Sequence, residues 1–263
     1  MNNTQNTNQL KLTDKHKIII KQIIRFKYLN RTQFQKILKH KSHTKILKWL
    51  NELTKERYIA RDYEKSLDNQ SAIYCLDIQS KDILEKEFKL SPTDIKRIYQ
   101  DKRNSRKYKN HLVFLVDIYL SLEIFCKSIH AKLSFYTKTE LNKTAHLIYP
   151  YPDCYFAITD KHKNIKRYFL DIFDPSKNLK WPHKRIIQYF EYFDKEIWQS
   201  HTTKLFPEII LVTNEEEDKK DLKKSIKKEL SKRINDINFY LSSWKEIQKQ
   251  GMTSGVLHKV EVI

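Results

Sequence analysis

The chain has 263 residues, of which 40% are hydrophobic and 12% are aromatic. This length is enough to bury two modest cores, and ordinary domain sizes favour two domains. Lysine and arginine number 51 against 32 acidic residues, a formal net charge of +19 that attracts phosphate groups. No apolar run approaches the roughly 20 residues that span a bilayer, and the first dozen residues lack the apolar stretch of a signal peptide. These features exclude a disordered chain and predict a cytoplasmic protein with no membrane partner.

The positive charge is concentrated in the first half of the chain. Residues 1–110 contain 26 basic and 12 acidic residues, a net +14, whereas residues 111–263 contain 25 and 20, a net +5. The many Lys, Asn and Ile residues, with only two Gly, indicate an AT-rich coding sequence. That bias explains part of the lysine content but not its uneven distribution, so we expect phosphate contacts in the first half.

The three cysteines are Cys75, Cys126 and Cys154, each isolated in apolar or strand-like surroundings. Their spacing fits neither a zinc site nor a disulfide framework. Buried free thiols are therefore expected.

Residues 13–78 show three helical patterns followed by two short runs of β-forming residues. Thr13 has the chemistry of an N-cap for the first helix. The second helix is expected to open at Asn30 or Thr32, and Ser42 is placed to cap the third. This order of elements is typical of a winged helix-turn-helix, whose second and third helices and hairpin loop meet DNA.

The outer face of the third helix and the turn before it are basic, where a solvated helix face usually mixes both signs. Three short amphipathic helices also suit a protein-docking module without DNA contacts, but the basic face and the hairpin that follows favour DNA. The donors predicted to contact bases or phosphates are Arg31, Thr32, Gln33, Lys41, Ser42, His43, Thr44, Lys45, Lys48 and, on the wing, Lys65 and Gln70.

The second half has the order helix, strand, strand, strand, helix, strand, helix, which predicts one mixed sheet with helices around it. The continuous apolar runs FLDIF and EIILV indicate central strands. Phe239, Tyr240, Leu241 and Trp244 are expected on a helix. The last segment, GMTSGVLHKVEVI, is expected to form an edge strand that could pair with a second copy.

Three acidic residues fall near predicted strand ends: Glu140, Asp153 and Asp171. Adjacent strands bring such carboxylates together, and a divalent metal ion needs such a cluster to activate water. The pattern is the skeleton of a PD-(D/E)XK nuclease, with Asp153 and Asp171 as the predicted metal ligands.

This nuclease pattern is incomplete, because Phe173 stands where an active enzyme would place a lysine to stabilise the developing charge. Lys177, Lys180 or Lys184, from the loop or helix that follows, could substitute for it. In the alternative without catalysis, Asp153 caps a turn and Asp171 pairs with a neighbouring Arg or Lys such as Lys184.

The order of these segments resembles the replication-relaxation family of plasmids and other mobile elements. The resemblance covers about residues 12–212 through TDKHKIIIKQIIRFKYLNRTQFQKIL, HTKILKWLNELTKERYI, HLVFLVDIY, TELN, YPDCYFAI, FLDIFD and KRIIQYFEYF. It implies a winged helix joined to a nuclease-like domain that acts in plasmid replication or in relaxation of plasmid DNA. It carries over Asp153 and Asp171 with Asp174 as acidic positions, but no catalytic lysine.

The predicted fold is an α+β or α/β two-domain protein, with an N-terminal winged helix-turn-helix followed by a mixed-sheet α/β restriction-endonuclease-like domain. The predicted organisation is a disordered polar arm at 1–12, the winged helix-turn-helix domain at 13–100, a basic linker at 101–110 and the nuclease-like domain at 111–263.

The leading hypothesis is a sequence- or structure-directed DNA-binding protein of a plasmid or mobile element, acting in replication or mobilisation, with a degenerate nuclease-like domain. Its expected partner is double-stranded DNA, and other replication or mobilisation proteins and a second copy of the chain are further candidates. DNA binding requires no cofactor, and Mg²⁺ is needed only if the nuclease-like site is active. The alternatives are a metal-dependent endonuclease or nickase and a winged-helix transcriptional regulator.

Overall fold

The computed structural model describes residues 10–63, 71–142, 144, 146–173, 180–233 and 237–261. The chain divides into two compact units, Met1–Asp117 and Ile118–Ile263. The fold is mixed α+β, with a three-stranded and a six-stranded sheet. Among the described residues, no helix is both long and apolar enough to cross a membrane. The predicted polar arm lies largely outside the described residues.

The first unit begins with three helices. Its elements are α1 (Asp14–Phe26), β1 (Leu29–Asn30), α2 (Arg31–Ile37), α3 (His43–Lys55), β2 (Ile59–Asp62), β3 (Ile73–Leu76), α4 (Lys81–Lys86), α5 (Pro92–Asp101) and the start of α6 (Arg106–Ser128). Thr13, Asn30 and Ser42 cap α1, α2 and α3, and each side-chain oxygen accepts a backbone N–H three residues ahead. The three predicted helix starts are therefore confirmed.

The core of the first unit forms where these helices meet β3. Ile19, Phe34 and Leu50, one from each of the first three helices, are fully buried. Strand β3 pairs antiparallel with both β1 and β2, so that Tyr74 faces Leu29 on one side and Arg61 on the other. Burial of these apolar residues fixes the three helices and the hairpin as one body.

The second unit is built on a six-stranded sheet. Its elements are the end of α6, β4 (Lys132–Thr137), α7 (Lys138–Leu141), β5 (Cys154–Thr159), β6 (Ile165–Ile172), α8 (Lys180–Asp194), α9 (Ile197–Thr202), β7 (Glu208–Thr213), α10 (Glu216–Leu230), β8 (Phe239–Ser243), α11 (Trp244–Gln250) and β9 (His258–Lys259). The strand order follows the chain from β4 to β9. The β6–β7 and β7–β8 pairs are parallel, and the other three are antiparallel. The prediction that FLDIF and EIILV are central strands is confirmed.

Helices cover both faces of this sheet. Phe169, Leu211 and Phe239 belong to one buried cluster that also contains Tyr189 of α8 and Ile226 of α10. On the opposite face, Tyr119 of α6 lies against Phe135 of β4, with 5.2 Å between ring centroids. The three cysteines are buried free thiols, as predicted.

The segment predicted as a basic linker, residues 101–110, is structured instead. It contains the end of α5 and the first turn of α6, and the boundary between the two units falls later, after Asp117. The hydroxyl of Ser105 accepts the backbone N–H of Tyr108 at 3.3 Å, as at a helix start. The sequence of this segment has no apolar period and therefore predicts a linker. The turn is held by charged side chains instead, and these leave no such period.

The helix predicted from Phe239 to Trp244 is wrong over its first part. Residues Phe239–Ser243 form strand β8, and α11 begins only at Trp244. Phe239 and Leu241 are buried while Tyr240 between them is less so, the alternation of a strand. The predicted final edge strand is confirmed as β9, which pairs antiparallel with β8.

Candidate nucleic-acid interface and buried carboxylate cluster

The buried face of α3 and the hydrogen bonds of its first turn determine which side of the helix faces solvent. The buried face consists of Ile46, Leu50 and Leu53. The hydroxyl of Ser42 accepts the backbone N–H of Lys45 at 3.3 Å, and Nδ1 of His40 accepts the N–H of Ser42 at 3.1 Å. In the same turn, the Gln35 amide donates to the carbonyl of Lys41 at 3.2 Å. These contacts hold the first turn of α3, and the buried face leaves the opposite face of the helix toward solvent.

The start of α3, together with the turn before it, carries six of the eleven predicted DNA contacts. Lys41, His43, Thr44, Lys45 and Lys48 are all exposed. A surface depression runs along the helix and is lined by Thr44, Leu47, Lys48, Asn51, Glu52 and Lys55. Of the predicted residues of α3, Thr44 and Lys48 line this depression, and His43 and Lys45 are exposed without lining it; these four form the outer strip of α3.

The exposed residues Asn51 and Lys55 were missing from the predicted set, although they extend the same strip. Each lies seven residues after a predicted contact, Thr44 and Lys48, which is two helical turns. That spacing is the sequence signal that could have found them. An Asn side chain has the donor and acceptor pair that matches adenine in the major groove.

The strip is strongly positive. Residues 39–55 contain five lysines and a single acidic residue, Glu52. The Glu52 carboxylate is held at 3.0 Å from Nε2 of His16, a residue only 2% exposed. Lys48 lies 3.8 Å from the same carboxylate but its side chain is 72% exposed, and an exposed pair of this kind is weak. Lys48 thus remains accessible to a phosphate group.

The predicted contacts on α2 divide into two groups. Arg31 and Thr32 are exposed at the start of the helix. Gln33 is 1% exposed, and its amide nitrogen donates to the carbonyl of Val113 at 2.7 Å and to the carboxylate of Asp117 at 2.8 Å. The prediction that Gln33 contacts DNA is therefore wrong, because this side chain ties α2 to α6.

The hairpin carries one exposed basic residue among those that the structure describes. Lys65 and Gln70, the predicted wing contacts, lie outside the described residues. Arg61 is exposed on β2, and its guanidinium lies 5.2 Å from the ring centroid of Tyr63. Burial raises the pKa of Tyr74, opposed by the positive charges of Arg61 and Arg31 on either side. Sequence reasoning did not select Arg61.

Two basic residues of the supposed linker hold both ends of the hairpin loop. Nζ of Lys109, a buried residue, lies 2.6 Å from the Asp62 carboxylate. The Arg106 guanidinium donates to the carbonyl of Asp62 at 3.3 Å and to the carbonyl of Ser71 at 3.2 Å. Their spacing of three residues on α6 directs both side chains to the hairpin. These charges act within the first unit, so they do not add to a phosphate-binding surface.

In the second unit, Asp153 and Asp171 are adjacent, as predicted. The backbone N–H of Asp153 donates to Oδ1 of Asp171 at 3.3 Å. In return, Oδ2 of Asp153 accepts the backbone N–H of Ile172 at 2.9 Å. These reciprocal bonds join the residue before β5 to the end of β6.

The second oxygen of Asp171 is engaged by α8. Oδ2 accepts from Nε of Arg185 at 2.6 Å and from the hydroxyl of Tyr189 at 2.7 Å. Arg185 is 1% exposed and also donates to the carbonyl of Pro150 at 2.7 Å. Burial opposes the charged guanidinium, but the Asp171 carboxylate raises the pKa of Arg185 above its ordinary value. Asp171 therefore sits in a buried ion pair whose two oxygens already have partners.

Glu140 and Lys184 are the other predicted catalytic residues that the structure describes, and both lie on helices. Oε2 of Glu140 accepts from the backbone N–H and hydroxyl of Thr137, at 2.7 and 3.0 Å. Glu140 is therefore part of the capping box of α7 and does not end a strand. Lys184 is exposed on α8, and the adjacent Arg185 makes the pair with Asp171 that was expected of Lys184. Asp174 lies outside the described residues.

A magnesium ion does not fit this arrangement. Magnesium is held by carboxylates and water, whereas Asp171 faces a guanidinium. Within the described ranges, no group of three or more His, Cys, Asp or Glu side chains is arranged to hold a metal ion. The cluster instead links α8 to the sheet by a network of charge-assisted hydrogen bonds.

Comparison of the chain with protein-family models, curated proteins and solved structures finds no match. The resemblance to the replication-relaxation family thus stays a prediction.

Proposed function

We propose that the first unit is a winged helix-turn-helix that binds double-stranded DNA, with α3 as its recognition helix. The observation that carries this proposal is the outer strip of α3, where exposed lysines stand on a helix whose opposite face is fully buried. The only acidic residue among residues 39–55 is engaged by His16. A rigid, basic helix of this kind suits the major groove, which is wide enough to admit an α-helix.

In this proposal the two ends of the strip have different roles. Thr44, Lys45 and Lys48 lie near the start of α3, the part that meets base edges and phosphates in helix-turn-helix proteins. Asn51 lies one turn further and would meet a base or a phosphate at the groove edge. Arg61 on the hairpin would contact the backbone of the same duplex.

The second unit is proposed to be a restriction-endonuclease-like domain whose acidic site is used for stability. The pairing of Asp171 with Arg185 supports this proposal, because a carboxylate bound by a buried guanidinium is not available to a metal ion. A role in replication or mobilisation of a mobile element is what the family resemblance implies, and it stays a prediction.

The test is fluorescence anisotropy with a labelled random-sequence duplex at several salt concentrations. Lys45→Ala with Lys48→Ala should weaken binding about tenfold or more and reduce the salt slope by about 2, because each lost phosphate contact lowers the slope by about 1. The matched control is Lys220→Ala with Lys223→Ala, an equally spaced exposed pair on α10. Binding that is unchanged by the α3 substitutions, or weakened equally by the control pair, would contradict the proposal.

Two further assays separate the alternatives. Supercoiled plasmid with magnesium or manganese should stay intact, and nicking that disappears in Asp171→Asn would support the nuclease. Protection of the promoter of the neighbouring genes, rather than of a replication origin, would support the transcriptional regulator.

A further inference from the structure

The sheet of the second unit has an aromatic pair at its edge. Tyr136 of β4 and Tyr155 of β5 are paired across the two strands, and their rings are stacked with centroids 5.9 Å apart. Tyr155 continues inward to Phe169 and Trp198, each 5.7 Å away. Tyr136 is the outer end of this row and is 45% exposed. Two buried rings, Phe169 and Trp198, and the partly buried ring of Tyr155 therefore support one ring that faces solvent.

The same face of the sheet continues beyond this aromatic pair. Since side chains alternate along a strand, the next cross-strand rows on this face are Ser134, Ala157 and Arg167, and then Lys132, Thr159 and Ile165. Lys132 and Ile165 are exposed. Ala157 is buried, whereas Ser134, Thr159 and Arg167 are partly exposed.

Positive charge dominates this end of the sheet. Residues 129–136 and 155–169, which include the turn between β5 and β6, contain five basic residues and one acidic residue, Asp160. The Asp160 carboxylate accepts the backbone N–H of His162 at 2.8 Å and that of Asn164 at 2.9 Å. Asp160 thus organises its own turn, and the lysines around it set the sign of the local charge.

We propose that this face of β4, β5 and β6 binds single-stranded nucleic acid, with a base stacked on Tyr136 and phosphates held by Lys132 and Arg167. Aromatic rings that take the faces of unpaired bases, beside basic residues that follow the backbone, are the usual chemistry of such sites. A paired duplex hides the faces of its bases, so this site is separate in chemistry from the strip on α3.

The test measures binding of the full chain to labelled oligo-dT and oligo-rU, each about fifteen nucleotides long, by fluorescence anisotropy. It is done in the Lys45→Ala, Lys48→Ala background, so that failure of this site and failure of the duplex proposal are distinguishable. Tyr136→Leu should weaken binding about 5- to 160-fold, the range expected for one lost stacking contact, whereas Tyr136→Phe should bind like the parent. Arg167→Gln should weaken binding and lower its salt dependence.

The matched control is Tyr149→Leu, which removes a tyrosine that is 79% exposed and does not lie on these strands. Circular dichroism verifies that each variant is folded. If Tyr136→Leu does not fold, the loss of binding in Arg167→Gln tests the site instead. Weaker binding by Tyr136→Leu with unchanged binding by Tyr149→Leu supports the site. The oligonucleotide that binds more tightly identifies the preferred sugar. No binding of either oligonucleotide at low salt, or equal loss in both tyrosine variants, would overturn the proposal.

Discussion

The buried pair of Arg185 and Asp171 should dominate the stability of the second unit. Arg185→Met removes the guanidinium and leaves a carboxylate that is only 8% exposed without its countercharge. Removing one partner of a buried ion pair costs about 3–5 kcal/mol. For a domain of roughly 150 residues, about 3 °C is lost per kcal/mol. We therefore expect the melting temperature of this unit to fall by about 9–15 °C.

The assays are thermal denaturation, for the melting temperature, and urea denaturation, for the free energies, both followed by tryptophan fluorescence, because three of the four tryptophans lie in the second unit. Asp171→Asn and the double variant Arg185→Met, Asp171→Asn complete a double-mutant cycle. We expect a coupling free energy of roughly 1–3 kcal/mol between the two residues. Lys224→Met is the control, since its pair with Asp221 spans 3.8 Å and its side chain is 83% exposed. A loss in Arg185→Met as small as in this control would refute the buried pair and make Asp171 available again as a metal ligand.

Three other effects follow from the contacts within each unit. Although burial opposes its ionisation, hydrogen bonds led by that of Lys219 lower the pKa of Glu246 from 4.5 to about 2. That stabilisation is present above about pH 4.5 and is lost as the pH falls toward 2. Glu246→Gln should therefore flatten the acid unfolding transition seen by circular dichroism, and an unchanged transition would contradict this. Arg106→Ala should speed hydrogen exchange in β2 and β3, because the side chain holds the carbonyl of Asp62; unaltered exchange would count against this clamp. Ser42→Ala should cost about 1 kcal/mol of unfolding free energy and Ser42→Gly only a few tenths, and equal losses would argue against the cap.

Local signals in the sequence predicted the first unit well. Thr13, Asn30 and Ser42 can each bond a nearby backbone N–H, so that the helix starts are determined by neighbouring residues. The start of α6 was missed because Lys109 pairs with Asp62, 47 residues earlier. Such a contact leaves no periodic pattern in the sequence. For the same reason Gln33, a polar residue at a helix start, could not be recognised as a buried bridge.

In the second unit, the continuous apolar strands were predictable, whereas the roles of single polar residues were not. Asp153 and Asp171 were expected to meet because adjacent strands bring strand ends together, and they do. The partner of Asp171 depended on the rotation of α8, which places Arg185 inward and Lys184 outward. Strand β8 was misread because its parallel pairing with β7 determines its conformation more than its own residues do.

The most direct test of the DNA-binding proposal is cleavage by an iron chelate tethered to α3. The native cysteines are buried, so a chelate attached through Thr44→Cys reacts at one exposed position. With a random-sequence duplex and peroxide, we expect loss of full-length DNA from Thr44→Cys and little loss from Lys224→Cys on α10. Equal cleavage from both positions, or no cleavage from Thr44→Cys while the duplex is bound, would contradict α3 as the recognition helix.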